Sequence, residues 1–204
     1  CGRGAIDDVQ IHCARYGADT AVRHGFPIAY PGMKIGLFGG SFDPAHEGHA
    51  HVAETALRRL GLDRMWWLVS PQNPLKPKSS PIEQRLALAR EMAQGRQMVV
   101  TDLESRLGCA FTYQTLRRLK RLYPRVQFTL VMGADNLANF RKWRNWREVA
   151  HAVPIAIVSR PGAGPRLRLS APKGWSYLNA RHNFQSSTSL RAARRRAVAK
   201  PGRK

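Results

Sequence analysis

Cysteine, acidic side chains and long apolar runs are all scarce in this chain of 204 residues, and each scarcity narrows what the protein can be. Its three cysteines, Cys1, Cys13 and Cys109, have no CxxC spacing and cannot all pair with one another, so reduced thiols in a cytoplasm are expected. No apolar run reaches the roughly 18 residues that span a bilayer. The opening stretch CGRGAIDDVQIHCARYGADT has no apolar core of the kind a secretory signal needs, so no membrane partner is expected. Asp and Glu total 13 against 34 Lys and Arg, and none follows Glu148. The net charge of +21, with RAARRRAVAKPGRK closing the chain, attracts polyanions without regard to their sequence. It suits equally an enzyme whose ligands all carry phosphates, so charge alone does not choose between that and a nucleic-acid binder. Two common glycine-rich signatures are also missing: neither GxxxxGK[ST] nor GxGxxG occurs.

What the chain does contain is a regular alternation. A hydrophobic fraction of 43% suffices for one buried core at this length. MKIGLF, MWWLVS, QMVV, VQFTLVM and VPIAIV read as buried strands. Between them HVAETALRRL, IEQRLALAREMA and FTYQTLRRLKRL carry apolar residues at helical spacing. Strand and helix in alternation predict an α/β fold, a parallel sheet with helices on both faces. In such sheets ligands bind beyond the carboxyl ends of the strands, where strand order reverses. Residues 1–32 lack periodicity and end in the turn-like Ala29-Tyr30-Pro31-Gly32, so the expected domain is 33–198, between an N-terminal extension and a basic tail over 199–204.

Directly after the first strand stands Gly39-Gly40-Ser41-Phe42-Asp43-Pro44-Ala45-His46-Glu47-Gly48-His49. Glycines let a backbone turn tightly and approach a ligand without a Cβ in the way. A helix predicted to begin near Gly48 offers free N–H groups and a positive dipole end to a phosphate. His46 and His49, three apart, can face one ligand from the helix start, and imidazoles donate to phosphoryl oxygens. His51, two residues further on, is expected on another face and in solvent. Near the other end, Ser186-Ser187-Thr188-Ser189-Leu190-Arg191 reads as a second helix start, where hydroxyls, N–H groups and Arg191 could converge on phosphate.

GGSFDPAHEGH resembles the GGxFDPxHxGH signature of the HxGH nucleotidyltransferase superfamily, whose fold is Rossmann-like, and SSTSLR resembles its SSTxIR motif with Leu190 for isoleucine. Intermediate stretches resemble the nicotinate mononucleotide adenylyltransferase family in particular. They are the loop Ser70-Pro71-Gln72-Asn73-Pro74-Leu75-Lys76, the FTYQT at 111–115, Gly133-Ala134-Asp135, Lys142-Trp143 and Arg160-Pro161-Gly162. The resemblance implies a single Rossmann-like domain that transfers the adenylyl group of ATP to nicotinate mononucleotide, with nicotinamide mononucleotide or phosphopantetheine as the alternative acceptors. It implies catalytic roles for His46, His49, Lys76 and Arg191. It places ATP on Gly39, Gly40, Ser41, Phe42, His46, His49, Gly133, Asp135, Ser186, Ser187, Thr188 and Arg191. The acceptor falls to Lys76, Thr112, Tyr113, Asp135 and Trp143, the last beside the ring-stacking position. Phe111 stands where the family has tyrosine.

A phosphate monoester is already anionic near neutral pH, so such a reaction needs in-line positioning and charge dispersal more than a strong base. The residues suit that need, since no carboxylate pair stands out as an acid–base couple. No clustered carboxylates offer a protein metal site either, so Mg2+ is expected to arrive with ATP. Asp43 could reach a metal-bound water or fix its own turn. Bland roles remain open for several others: Phe111 and Tyr113 as core residues, Trp143 and Trp146 as packing, Asp135 as a helix cap. No sequence-specific nucleic-acid partner is expected, and the sequence leaves room for a homo-oligomer.

Overall fold

The computed structural model describes residues 22–23, 26–71, 79–159 and 174–179. A two-residue antiparallel pair, β1 (Val22–Arg23) and β2 (Phe26–Pro27), precedes the main sheet. That sheet is built from β3 (Lys34–Gly40), β4 (Arg64–Val69), β5 (Met98–Thr101), β6 (Gln127–Gly133), β7 (Ile155–Ser159) and β8 (Ser176–Asn179). All its pairings are parallel, and the spatial order is β5-β4-β3-β6-β7-β8. The chain thus moves outward from β3 to β5, returns to lay β6 on the other side of β3, and continues to β8. Strand order reverses between β3 and β6, the position at which such sheets bind ligands.

Alternation along each strand sorts the apolar side chains into two layers. Ile35, Leu37, Trp66, Leu68, Leu130 and Ile157 face one side of the sheet, while Phe38, Met65, Trp67, Val69, Val131 and Val158 face the other. Helices α1 (Glu47–Arg59) and α2 (Ile82–Met92) cover the second side through Val52, Ala53, Ala56, Leu86 and Ala89. The first side lies under α4 (Thr112–Leu122) and α6 (Trp146–Ala152), which contribute Leu116, Leu119 and Val149. Two short helices, α3 (Leu103–Arg106) and α5 (Ala134–Leu137), close the same layer. Each fully buried large apolar side chain contributes about 1.5–3 kcal/mol relative to exposure. The core therefore fixes the strand ends that carry the motifs. The expected α/β architecture, helices on both faces of a parallel sheet, is the observed one.

The structure differs from expectation at three places. The boundary predicted at Met33 falls too late: Ala29 is in the core, the Tyr123 hydroxyl donates to the Pro27 carbonyl at 2.8 Å, and the Gly32 N–H donates to the Arg125 carbonyl at 2.8 Å. Residues 26–32 therefore belong to the packed body. His51 is half-buried with its Nε2 out of solvent, because it lies one turn from the buried Gly48 and Thr55 of α1. Strand β8 and helix α6 carry no apolar run or spacing that predicts them. Lys76, Arg160-Pro161-Gly162, the stretch 186–191 and the tail 199–204 lie outside the described residues.

Candidate active site

The first motif occupies the turn from β3 into α1. Gly39 is exposed, and a Cβ placed on it would meet nothing within 4 Å, so its backbone faces open space. At Gly40 a Cβ would meet the Phe42 ring at 3.2–3.3 Å. A side chain there would crowd the Phe42 ring, which folds back over it. Phe42 itself has φ 45, left-handed for a bulky residue, and only 1% exposure. Its ring lies 5.0 Å from that of His49 and 5.1 Å from that of Trp67. The Phe42 side chain thus supports His49 from the core, and only its backbone is placed to meet a ligand. Ser41, beside it, is also buried.

His46 caps α1 with extended backbone and is 3% exposed, while His49 sits half-buried one turn in. Their ring centroids are 3.8 Å apart and tilted by 32°. The His46 backbone N–H donates to His49 Nδ1 at 3.3 Å, which leaves Nε2 as the protonated nitrogen of a neutral His49. Both rings therefore share the amino end of a 13-residue helix, where orphan N–H groups and the dipole favour an anion. The expected convergence of these two histidines is present.

Arg85, which no sequence motif marks, ties this turn to its surroundings. Arg85 on α2 is 1% exposed, and its guanidinium donates to four backbone carbonyls. Nη1 reaches Ser41 O at 2.8 Å and Ser70 O at 2.7 Å, Nη2 reaches Pro71 O at 2.7 Å, and Nε reaches Ser80 O at 2.8 Å. Desolvation lowers its pKa from the ordinary arginine value, with Asp43 and Glu83 opposing. Asp43 in turn accepts from the Ser80 N–H at 3.2 Å, a tie to the stretch before α2, 37 residues away, and not the bond to its own turn that was expected. The sequence did hold a signal: Arg85 shares the stripe of Leu86 and Ala89, the buried face of α2.

Next to β3, strand β6 ends at Gly133, which is buried and caps α5, and Asp135 follows, exposed in the first helical turn. Gly133 and the Gly39-Gly40 pair thus leave adjacent strands on either side of the order reversal. Of the other expected acceptor residues that the structure describes, Thr112, Tyr113 and Trp143 lie on the other layer. Thr112 opens α4, half-buried, and Tyr113 stacks on Phe111 at 6.2 Å with Arg117 over its ring. Gln114 Oε1 accepts from the N–H groups of Ala110 and Phe111. The donors remaining at the helix start are the Thr112 and Tyr113 N–H groups, which a helix does not pair, and the Thr112 hydroxyl. Trp143 is half-buried and packs on Phe140 at 5.3 Å.

Polar contacts join the two halves. The Ser70 N–H donates to Gly40 O at 3.0 Å, the Ser70 hydroxyl lies near enough to Glu104 to favour its charged form, and Thr115 Oγ1 donates to Glu104 Oε1 at 3.0 Å. Glu104 is buried, and burial pushes its carboxyl above the usual carboxylate range against the weaker pull of those two hydroxyls. Through it the first turn of α4 is tied to the glycine turn after β3.

The family model described as cytidylyltransferase-like matches residues 37–193, from within β3 to beyond β8. "Probable nicotinate-nucleotide adenylyltransferase" of Roseobacter denitrificans is 44% identical over 84% of this chain and 98% of its own length. A protein of the same name from Caulobacter sp. is 48% identical over 78% of this chain and 97% of its own length. Among solved structures, the Plasmodium falciparum nicotinic acid mononucleotide adenylyltransferase complexed with NaAD superposes with a TM-score of 0.68. It shares 20% identity over 78% of this chain and 83% of that one, which speaks for the fold.

Proposed function

The chain belongs to the cytidylyltransferase-like family, among the nicotinate-nucleotide adenylyltransferases, and from that premise we propose that it joins the adenylyl group of ATP to nicotinate mononucleotide. The products are nicotinate adenine dinucleotide and pyrophosphate, a step of NAD biosynthesis in the cytoplasm. The observation that carries this reading is the imidazole pair His46 and His49, 3.8 Å apart at the amino end of α1, beside the strand-order reversal.

In this reading the ATP phosphates lie against Gly39, Gly40 and the backbone of Ser41 and Phe42, with the helix end beneath them. His49 Nε2–H and His46 donate to phosphoryl oxygens as negative charge builds on the leaving pyrophosphate. Asp135 accepts from a ribose hydroxyl beside Gly133. Lys76, Ser186, Ser187, Thr188 and Arg191 complete the anion shell on the strength of the family resemblance. Mg2+ is part of the MgATP substrate and offsets phosphate charge; the donors at the turn, imidazoles and N–H groups, suit phosphate oxygens.

The mononucleotide's 5′-phosphate attacks the α-phosphorus in line, while Thr112, Tyr113 and Trp143 hold its pyridine end. A ring carboxylate accepts from the N–H groups of Thr112 and Tyr113 and from the Thr112 hydroxyl. An amide in its place turns an NH₂ toward those donors, and each buried group left unpaired costs about 1–3 kcal/mol. Parallel rates on nicotinate and nicotinamide mononucleotides, with MgATP fixed, are therefore expected to favour the acid by about tenfold or more in kcat/KM. Equal rates would retain adenylyl transfer and remove the acid-selective pocket. Absence of turnover on either would remove the proposed activity.

A further inference from the structure

We propose that Arg85 is a positioning residue for the nucleotide: by holding the Ser41 carbonyl it fixes the backbone of the phosphate-facing turn. The inference rests on the reading of that turn as the ATP site.

Four carbonyls from three separate stretches of chain converge on one guanidinium: Ser41 after β3, Ser70 and Pro71 after β4, and Ser80 before α2. A buried cation whose hydrogen bonds go to main-chain carbonyls, with the carboxylates of Asp43 and Glu83 near enough to favour its charge, is an unusual way to fill a helix–sheet interface, since an aliphatic side chain would avoid the desolvation. What the guanidinium supplies that an apolar residue cannot is direction. Its donors lie in one plane at fixed angles, so each bonded carbonyl is held in orientation as well as distance. Fixing Ser41 C=O fixes the peptide plane that it shares with the Phe42 N–H, which must then point away from Arg85. Phe42 follows in its left-handed conformation, and its ring props His49. The same guanidinium joins Ser41 to Ser70, whose N–H already bonds Gly40. Gly40, Ser41, Phe42 and His49 are in this way set by one side chain that itself never reaches the ligand. Misplacing a reacting group by about 1 Å can lower a rate by roughly 100-fold.

The test uses the full chain with Arg85→Lys and Arg85→Ala, each read at a temperature where circular dichroism and a thermal melt show it folded. Lysine keeps the charge and loses the fork. Expected are an ATP dissociation constant raised about tenfold by calorimetry with MgATP alone and a kcat lowered about 10- to 100-fold per folded molecule. KM for the mononucleotide should change less than the ATP dissociation constant, because Arg85 bonds no residue of α4 directly. Guanidinium ion at millimolar concentration should restore part of both losses in Arg85→Ala, saturably, and should do nothing for His49→Ala. Folded variants with the parent's ATP affinity and turnover would overturn the proposal. So would losses that only track the unfolded fraction, and the lysine variant decides the matter if the alanine variant does not fold. A parent protein that binds MgATP but turns over no mononucleotide would count against the adenylyl-transfer reading alone, and the calorimetric comparison would still judge Arg85.

Discussion

At the scale of single residues, His46 and His49 were readable because their spacing and place after a strand are uncommon together, and Arg85 and Glu104 were not. An arginine inside IEQRLALAREMA looks like a solvent-facing helix residue unless its alignment with Leu86 and Ala89 is noticed. Glu104 has no motif around it, and its partners Ser70 and Thr115 are distant in sequence. For the histidines, His46→Ala and His49→Ala should each lower kcat by about 10²–10³ while leaving the thermal midpoint close to the parent's. Near-normal turnover in either folded variant would remove them from the chemistry. For Glu104 the sign follows from its raised pKa. The folded state holds this proton more tightly than the unfolded chain does, so the stability it contributes is full below the ordinary value of 4.5 and is lost as pH rises through the elevated folded value. Glu104→Gln keeps an acceptor for Thr115 and removes the charge. Denaturant midpoints across that range should fall with rising pH more in the parent than in the variant. Parallel curves would show that Glu104 does not titrate as its burial implies.

At the scale of elements, fully buried parallel strands announce themselves as continuous apolar runs, which is why β3, β4, β6 and β7 were legible. Strand β8, SYLN, is an edge with exposed ends and no such run, and α6 starts abruptly after Asn145 in left-handed conformation. The stretch before Met33 hid its role because it packs through backbone carbonyls, Pro27 and Ile28, which have no sequence signature. Deleting residues 1–32 therefore removes the acceptor of the Tyr123 hydroxyl and uncovers core around Ala29. An unsatisfied buried hydroxyl costs about 1–3 kcal/mol, and each kcal/mol shifts Tm by about 2–4 °C in a chain of this size. The truncated protein should melt about 5 °C lower or more, yet turn over normally per folded molecule at a temperature well below that. Tyr123→Phe in the full chain should reproduce only a fraction of the loss. An unchanged Tm on truncation would mean that residues 26–32 add nothing to the core.

At the scale of the whole molecule the charge of +21 remains, and it competes with the ordered site as an account of what the chain does. Helix α4 alone exposes Arg117, Arg118, Lys120 and Arg121, with Arg117 paired to Glu148. Such a surface binds any polyanion by releasing its counterions, a gain that vanishes as salt is added. Contacts to about 6–10 phosphates lose roughly 10³–10⁵ in affinity between 50 and 200 mM salt. On the proposed reading, ATP binding in the turn after β3 depends instead on short hydrogen bonds at a helix end, partly shielded by the protein, which salt screens much less. The two interactions should therefore separate in one titration. Affinity for a random-sequence DNA duplex should fall by about 10³ or more over that salt range. Over the same range kcat/KM for MgATP should fall by no more than about tenfold, the share due to long-range steering. Added duplex should inhibit turnover at 50 mM salt by occupying the basic surface and have no effect at 200 mM. Duplex binding that survives 200 mM salt and prefers one sequence would mean that the basic surface has a nucleic-acid function of its own, because non-specific attraction cannot produce either property.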